Sequence, residues 1–314
     1  MNYKIFRHNN FFNTRRLTSK VLATVLMPLL LVPILFAMMP VQKTRAATDH
    51  RVYLPLVMKG GISSDNQLCP EGDQQWLCLL NQYRDAAGLP DVFVNANYAD
   101  SLDLHTRYLL LNPGQTDLHA EYPSNPGYTP QGKEAGGQSN MSWKGSVDFT
   151  TTETMALWMG VATHRFNMLH PNLSASGYDL SCDGRNCAAG LNILGSLPLS
   201  YNISDTDVIY PGENQSGIPV AAFPVTWAFY MPWYGTESDA DEVDLISGEI
   251  YNQQNQKIGI TRWEPNHTDG RWDYKNQVVL TPVEPLLSGQ TYRVEITVRF
   301  QGETLQRNWS FSTR

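Results

Sequence analysis

The hydrophobic pattern of this 314-residue chain changes its period after Gly195. Before that residue, apolar positions recur at helical spacing, and Trp76, Leu80 and Tyr83 share one helix face. After residue 219, short apolar segments separated by turn residues are typical of a β-sandwich. The chain is therefore predicted to be α+β, with a mixed central domain followed by an all-β domain.

The central segment is predicted to hold three helices and a pair of strands. The helices begin after residue 70, at about residue 97 and at about residue 151. Two short strands flank the turn between Cys182 and Cys187. Helices on either side of paired strands indicate a layered α-β-α domain.

All four cysteines lie in this central segment, and an even number in an exported chain favours disulfides. Three pairings are open, and we favour Cys69–Cys78 with Cys182–Cys187 because each pair is close in sequence. Zinc binding by these cysteines is the alternative, but no paired CxxC spacing supports it.

The first 47 residues have the layout of a signal peptide. Five basic residues precede an apolar run from Val21 to Met39, and small residues suited to cleavage lie near Ala46. A retained membrane anchor is the alternative, because about 20 apolar residues cross a bilayer, but Pro28 and Pro33 interrupt the run. We therefore expect a secreted or cell-surface protein with no membrane span after cleavage.

Removal of the leader makes the chain strongly acidic. The leader holds seven of the 23 Lys and Arg and none of the 30 Asp and Glu, which leaves a formal charge of −14. This charge excludes nucleic acids and anionic membranes as partners attracted through phosphate groups. We expect a monomer with an extracellular small-molecule, peptide or cell-wall ligand.

Three motifs follow one another over about 125 residues: LLNQYRDAAGLP, LHAEYPSNPGYTPQGKEAGGQSN and ALWMGVATHRFNMLHPNLSASGYDL. In this order they resemble the bacterial branch of the CAP superfamily, which includes cysteine-rich secretory proteins, antigen 5 and pathogenesis-related proteins. The resemblance implies a three-layer α-β-α sandwich. It also implies a cleft built around two histidines and two acidic residues.

Carried over by motif, the two histidines are His119 and His164, which in some family members hold a divalent metal such as zinc. Where the family has Gly-Glu-Asn, this chain has Gly137-Gln138-Ser139, so an amide replaces the acid. An amide has no titratable site near neutral pH and cannot act as a general base. Glu134 is the candidate substitute for that acid, and Glu153 is the candidate second acid.

Two functions follow from this resemblance. The first is a non-catalytic binding module that takes a lipid, peptide or glycan in a cleft lined by His119, Glu134, Gln138, His164 and Glu153. The second is a metal-dependent extracellular hydrolase, in which His119 and His164 hold zinc and Glu134 is the general base.

The C-terminal stretches LTPVEPLLSGQTYRVEITV and NWSFST resemble bacterial immunoglobulin-like domains. The predicted organisation is a signal peptide (1–47), an N-terminal linker (48–67), a CAP domain (68–197), a linker (198–218) and an immunoglobulin-like β-sandwich (219–314).

Overall fold

A computed structural model describes residues 69–146, 148–197, 206–230, 243–265 and 276–314. The predicted leader and N-terminal linker lie outside these residues. All of the described residues belong to one compact unit. None of the helices among them combines the length and the apolar character needed to cross a membrane.

Five helices lie in the described part of the central segment. Three of them occupy the predicted positions, and two short ones, α3 and α5, are additional. Their bounds are α1 (Gln75–Ala86), α2 (Ala96–Leu111), α3 (Pro130–Gly137), α4 (Thr151–Met159) and α5 (Ala162–Met168).

Side-chain caps determine where three of these helices begin. The Asn95 side chain accepts a hydrogen bond from the amide two residues later, at 3.1 Å. Thr129 Oγ1 accepts one from the Gly132 amide at 2.9 Å. Thr150 and Glu153 form a capping box, in which each side chain accepts from the backbone amide of the other. Each cap satisfies an amide that has no partner inside its helix.

Five short strands accompany the helices: β1 (Phe93–Val94), β2 (Ser139–Lys144), β3 (Ala175–Ser176), β4 (Tyr178–Cys182) and β5 (Cys187–Asn192). Strands β2, β5 and β4 form an antiparallel sheet in that order, while β1 and β3 form a separate parallel pair. Along β5, Cys187, Ala189 and Leu191 enter an apolar cluster with α1 and α4, whereas Ala188 enters one with α2 and α3. Because side chains alternate along a strand, helices cover both faces of this sheet.

Both predicted disulfides are confirmed. Cys69 and Cys78 connect the start of the described chain to α1, with their Cα atoms 5.6 Å apart. Cys182 and Cys187 are opposite one another at the end of the β4–β5 hairpin, with their Cα atoms 4.2 Å apart. Two local disulfides are consistent with an exported protein.

The described residues from 206 to 314, named here the C-terminal β-unit, form two antiparallel sheets. The first has the order β6-β7-β10-β9, and the second has the order β12-β11-β8. Phe229 of the first sheet packs on Phe300 of the second, with ring centres 4.6 Å apart. The strands are β6 (Thr206–Tyr210), β7 (Val225–Tyr230), β8 (Asp244–Tyr251), β9 (Ile260–Trp263), β10 (Gln277–Pro282), β11 (Thr291–Phe300) and β12 (Glu303–Ser312).

Strand β6 lies within residues 198–218, for which the sequence indicates a linker. It pairs with β7 along its whole length and belongs to the first sheet of the C-terminal β-unit. One apolar cluster then continues from Trp76 and Leu80 of α1 to Trp227 of β7 and Val294 of β11. The C-terminal β-unit therefore packs directly on the helices of the central segment.

Candidate functional site

A buried polar pair, His105 and Glu121, lies beneath α3. His105 Nδ1 is 2.9 Å from Glu121 Oε1, and Nε2 donates to the Leu118 carbonyl oxygen at 2.8 Å. The other carboxylate oxygen of Glu121 accepts a hydrogen bond from the Thr129 amide at 2.9 Å. Both side chains are buried, and all four of their polar atoms have partners. His105 is thus a packed, hydrogen-bonded residue.

Two glycines of α3 allow this helix to lie directly on the buried pair. A Cβ atom at Gly136 would lie 2.8 Å from His105 Nδ1 and closer still to Cε1 and Nε2 of the same ring. A Cβ atom at Gly132 would lie 2.8 Å from Thr129 Oγ1 and closer to Glu121 Oε1. Since carbon atoms pack at about 3.5–4.0 Å, a larger residue at either position would displace its neighbours. The Gly132 and Gly136 spacing is the sequence sign of this contact.

His119 lies in the loop that precedes α3, where it is exposed and contacts the last turn of that helix. Its Nδ1 atom donates to the Gly136 carbonyl oxygen at 3.0 Å, and its backbone amide donates to Asp117 Oδ1 at 2.9 Å. Because a carbonyl only accepts, Nδ1 carries the proton, and Nε2 of the neutral ring is left as an acceptor. The imidazole of His119 is therefore exposed and oriented, with one nitrogen suited to binding a ligand donor.

Residues 134–140, named here the α3–β2 junction, carry the amide that replaces the expected acid. Gln138 Nε2 donates to Glu134 Oε1 at 3.2 Å, one helical turn away. The Gln138 carbonyl oxygen accepts from the amides of Ile193 and Leu194, which attaches the junction to the end of β5. Glu134 is exposed and Gln138 is half-buried. The junction thus presents a carboxylate and an amide as a hydrogen-bonded pair.

His164 lies on α5 and contacts the other end of the same junction. The Asn140 side chain donates to the His164 carbonyl oxygen at 3.1 Å. Gly136, which contacts His119, is four residues before Asn140, so their Cα atoms are at most about 14 Å apart. The α3–β2 junction therefore contacts both histidines, through the ring of His119 and the backbone of His164.

Glu153, the candidate second acid, lies in the first turn of α4 and takes part in its capping box. Its carboxylate accepts hydrogen bonds from the Thr150 amide at 2.9 Å and the Thr150 hydroxyl at 3.2 Å, and it lies 3.5 Å from Lys144 Nζ. The hydrogen bond from the Thr150 amide lowers the pKa of Glu153. Among the described residues, its contacts are those of a helix cap, and they do not include either histidine. The Thr150–Glu153 spacing is the sequence signature of this capping box.

The side chains near the two histidines determine whether a zinc ion fits this site. Structural and catalytic zinc sites use at least three protein ligands. Within the described ranges, no group of three or more His, Cys, Asp or Glu side chains is arranged to hold a metal ion. The described residues around His119 and His164 therefore do not supply the three ligands that a zinc site needs.

An open cleft of about 400 Å³ lies beside the loop that carries His119. Its lining includes Asn112, Gln115, Thr116, Tyr122 and Asn125, none of which is charged. The hydroxyl of buried Tyr108 organises this lining, since it donates to Gln115 and accepts from the Tyr122 amide and the Asn125 side chain. The Tyr122 side chain is 48% exposed. An exposed aromatic ring among neutral polar groups suits a neutral polar ligand.

Three aromatic side chains of the central segment pack in its interior or against it. Trp158 is fully buried, and Tyr128 and Trp143 are partly buried against the cluster of α2 and α3. Arg84 and Arg165 are buried charges that lie in the apolar interior. The helical pattern around Arg84 gives no sign of this burial.

Comparison with known proteins gives one family match. Residues 77–193 match the model of the cysteine-rich secretory protein family, CAP. No curated protein matches the chain. The matched range includes His119, Glu134, Gln138, Glu153 and His164, but it ends before the C-terminal β-unit begins.

Two solved structures show slight likeness. CopC from Methylosinus trichosporium OB3b is 16% identical, with a TM-score of 0.23, over 36% of this chain and 92% of that chain. A DUF4785 family protein from Legionella pneumophila is 11% identical, with a TM-score of 0.19, over 41% of this chain and 32% of that chain. Neither likeness is close enough to assign a fold or a function. The family match over residues 77–193 supports the placement of the central segment in the CAP superfamily.

Proposed function

We propose that this chain is a secreted or cell-surface CAP protein that binds an extracellular ligand at its two histidines without catalysing a reaction. The ligand is a lipid, a peptide or a glycan. The family match over residues 77–193 and the two local disulfides support an extracellular binding module. The proposal places the ligand between His119 and His164, over the α3–β2 junction.

One observation carries the non-catalytic reading. Gln138 lies in sequence between Gly136 and Asn140, which contact the two histidines, and its side-chain amide donates to Glu134. A general base must be free to take a proton from substrate, and an amide cannot do so. Glu153, the other candidate acid, accepts the hydrogen bonds of a helix cap. The site therefore presents donors and acceptors suited to recognition, with the imidazole of the exposed residue His119 among them.

The same proposal includes the leader, the linkers and the two domains of the chain. We infer a signal peptide over residues 1–47, a linker over 48–67, a CAP α-β-α sandwich of the bacterial branch over 68–197 and a linker over 198–218 that includes strand β6. Residues 219–314 are proposed to be an immunoglobulin-like domain, supported by two antiparallel sheets that share an aromatic core. The mature chain is proposed to be a monomer.

The test uses the mature chain against panels of lipids, peptides and glycans, with turnover and binding measured in parallel. His119→Ala should weaken binding at least about tenfold, because a hydrogen bond and its ring contacts are lost at the site. Tyr122→Ala is the matched control, since Tyr122 lies on the same loop but lines the separate open cleft. A ligand lost in Tyr122→Ala and retained in His119→Ala would place binding in that cleft and contradict the proposal.

Glu134→Gln distinguishes binding from hydrolysis. The substituted side chain keeps an oxygen that can accept from Gln138 but loses the titratable group. A binding module should retain its affinity within about twofold. A hydrolase that uses Glu134 as general base should lose about 10²–10⁴ in turnover. Turnover by the wild-type chain that disappears in both His119→Ala and Glu134→Gln would establish the hydrolase instead.

A further inference from the structure

The helix that carries His164 is too short to be stable by itself. Helix α5 has seven residues, and isolated helices of fewer than about 12 residues are marginal in water. Carbonyl groups in the last turn of a helix also have no partner within it. The orientation of His164 consequently depends on groups outside α5.

Alternate carbonyl oxygens along α5 are contacted from outside the helix. Those of His164 and Met168 accept hydrogen bonds from the central segment, from Asn140 at 3.1 Å and Arg84 at 2.9 Å. Those of Ala162 and Phe166 accept hydrogen bonds from the C-terminal β-unit. Donors from the two parts of the protein thus alternate along the helix.

The two donors of the C-terminal β-unit are Tyr230 and Gln277. The Tyr230 hydroxyl donates to the Phe166 carbonyl oxygen at 2.7 Å, and its ring stacks on the Phe166 ring with centres 4.5 Å apart. Gln277 Nε2 donates to the Ala162 carbonyl oxygen at 3.4 Å. Gln277 is opposite Ala228 in the β7–β10 pair, and Tyr230 follows Ala228 by two positions. The two donors therefore lie on the same face of the first sheet.

Arg165 also connects α5 to the C-terminal β-unit, but here the donor belongs to α5 and the acceptor to the β-unit. Its Nη1 donates to the Pro224 carbonyl oxygen at 2.8 Å, and its guanidinium carbon lies 5.0 Å from the Tyr210 ring centre and 4.8 Å from that of Phe223. Burial lowers the pKa of Arg165 to about 10, so the side chain is charged at neutral pH. This residue follows His164 directly in sequence, which limits the freedom of the histidine backbone.

We propose that Tyr230 and Gln277 are positioning residues for His164, which makes the C-terminal β-unit part of the scaffold of the histidine site. This inference rests on the function proposed above, in which His164 contacts the ligand. Ligand binding at the histidine site then stabilises the packing of the C-terminal β-unit on α5. That packing in turn strengthens ligand binding by the same free energy.

The test compares two substitutions in the full mature chain. Tyr230→Phe removes the hydroxyl that donates to α5 but keeps the ring on Phe166. Tyr292→Phe is the matched control, because Tyr292 is equally buried in the C-terminal β-unit and its hydroxyl accepts from the Leu287 amide of the same unit. Hydrogen exchange of residues 162–169 is measured by mass spectrometry, together with the rates at which diethyl pyrocarbonate modifies His164 and His119.

Tyr230→Phe should speed amide exchange in α5 about tenfold, since the Phe166 carbonyl oxygen is left buried without its donor. The modification rate of His164 should change at least about threefold, while that of His119, which is oriented by α3, stays the same. Tyr292→Phe should leave α5 exchange and both modification rates within about twofold of wild type. Equal effects of the two substitutions on α5, or unchanged α5 exchange in Tyr230→Phe, would overturn the inference.

Gln277→Met provides a second variant in case Tyr230→Phe does not fold. It should also speed amide exchange in α5. These readouts need no ligand, so they remain interpretable if the binding panels give no hit and the proposed function fails. Conversely, a panel ligand whose affinity depends on His119 but is unaltered by Tyr230→Phe and Gln277→Met would retain the function and refute the positioning role.

Discussion

The contact between α3 and His105 can be tested by a pair of alanine substitutions one residue apart. At Gly136 an added Cβ atom would lie 2.8 Å from His105 Nδ1 and closer to two other ring atoms, whereas at Gly137 it would meet nothing within 4 Å. His105 cannot retreat easily, since it is buried and both of its ring nitrogens have partners. The two positions therefore differ in packing but share the same helix end.

The expected change in the free energy of unfolding is the sum of two opposing contributions. Replacement of glycine by alanine within a helix stabilises by up to about 1 kcal/mol, and this gain applies to both variants. Overpacking costs about 1–3 kcal/mol and applies only to Gly136→Ala. The difference between the variants isolates the steric contribution. We expect Gly136→Ala to be less stable than Gly137→Ala by about 1–3 kcal/mol.

The measurement is urea unfolding of both variants and the wild type, followed by circular dichroism and tryptophan fluorescence. Gly137→Ala should unfold at the same urea concentration as wild type or a slightly higher one, and Gly136→Ala at a lower one with an unchanged slope. If the two variants agree within about 0.5 kcal/mol, α3 does not lie on the His105 ring as described.

Two further predictions concern carboxylates, of which Asp179 is half-buried and Glu121 is buried. Burial raises the pKa of Asp179 above its unfolded value, so its ionised form costs stability above the folded pKa, and this cost disappears as the pH falls below the unfolded pKa. Asp179→Asn should therefore match or exceed the melting temperature of wild type at pH 7 and lose that advantage towards pH 3; an advantage that grows in acid would contradict this sign. Glu121→Ala should cost about 1–3 kcal/mol in urea unfolding because it leaves a ring nitrogen of buried His105 without its hydrogen-bond partner. Glu121→Gln, which can still donate to one ring nitrogen, should cost clearly less, and equal losses would show that the pair is not the source of the stability.

The long elements could be predicted because their apolar positions repeat over several turns or strand residues. Strands β10 and β11 match the segments QVVLTP and TYRVEITVRF along their whole lengths. Helix α3 could not be predicted in this way, since PQGKEAGG contains three glycines and no apolar stripe. Its formation depends on the Thr129 cap and on contact with a buried pair from elsewhere in the chain.

Short elements that depend on tertiary contacts were missed for a related reason. Helix α5 has too few residues to reveal a period, and its carbonyl partners come from residues far away in sequence. Strand β6 lies in a stretch rich in Ser, Pro and Asn, so the average composition conceals five residues that pair with β7. In both cases, the residues that determine the structure lie in the partner element and not in the segment itself.

In the candidate site, too, some features could be predicted from the sequence and others could not. Sequence motifs identified His119 and His164, and the α3–β2 junction contacts both. The replacement of the expected acid by Gln138 was also readable from sequence. The capping role of Glu153 is also readable from the sequence, because Glu153 follows Thr150 by three residues. What sequence could not supply is the hydrogen bond from Gln138 to Glu134, which depends on how α3 ends.

The guanidinium of Arg165, enclosed by Tyr210 and Phe223, bears on how this protein can change over generations. A charge in such a setting tolerates few replacements unless the rings around it change at the same time. Recombination that joined the central segment to a different C-terminal partner would leave this cation facing the wrong surface. Among relatives that have both parts, we expect these three positions to vary together and the two parts to be inherited as one gene segment.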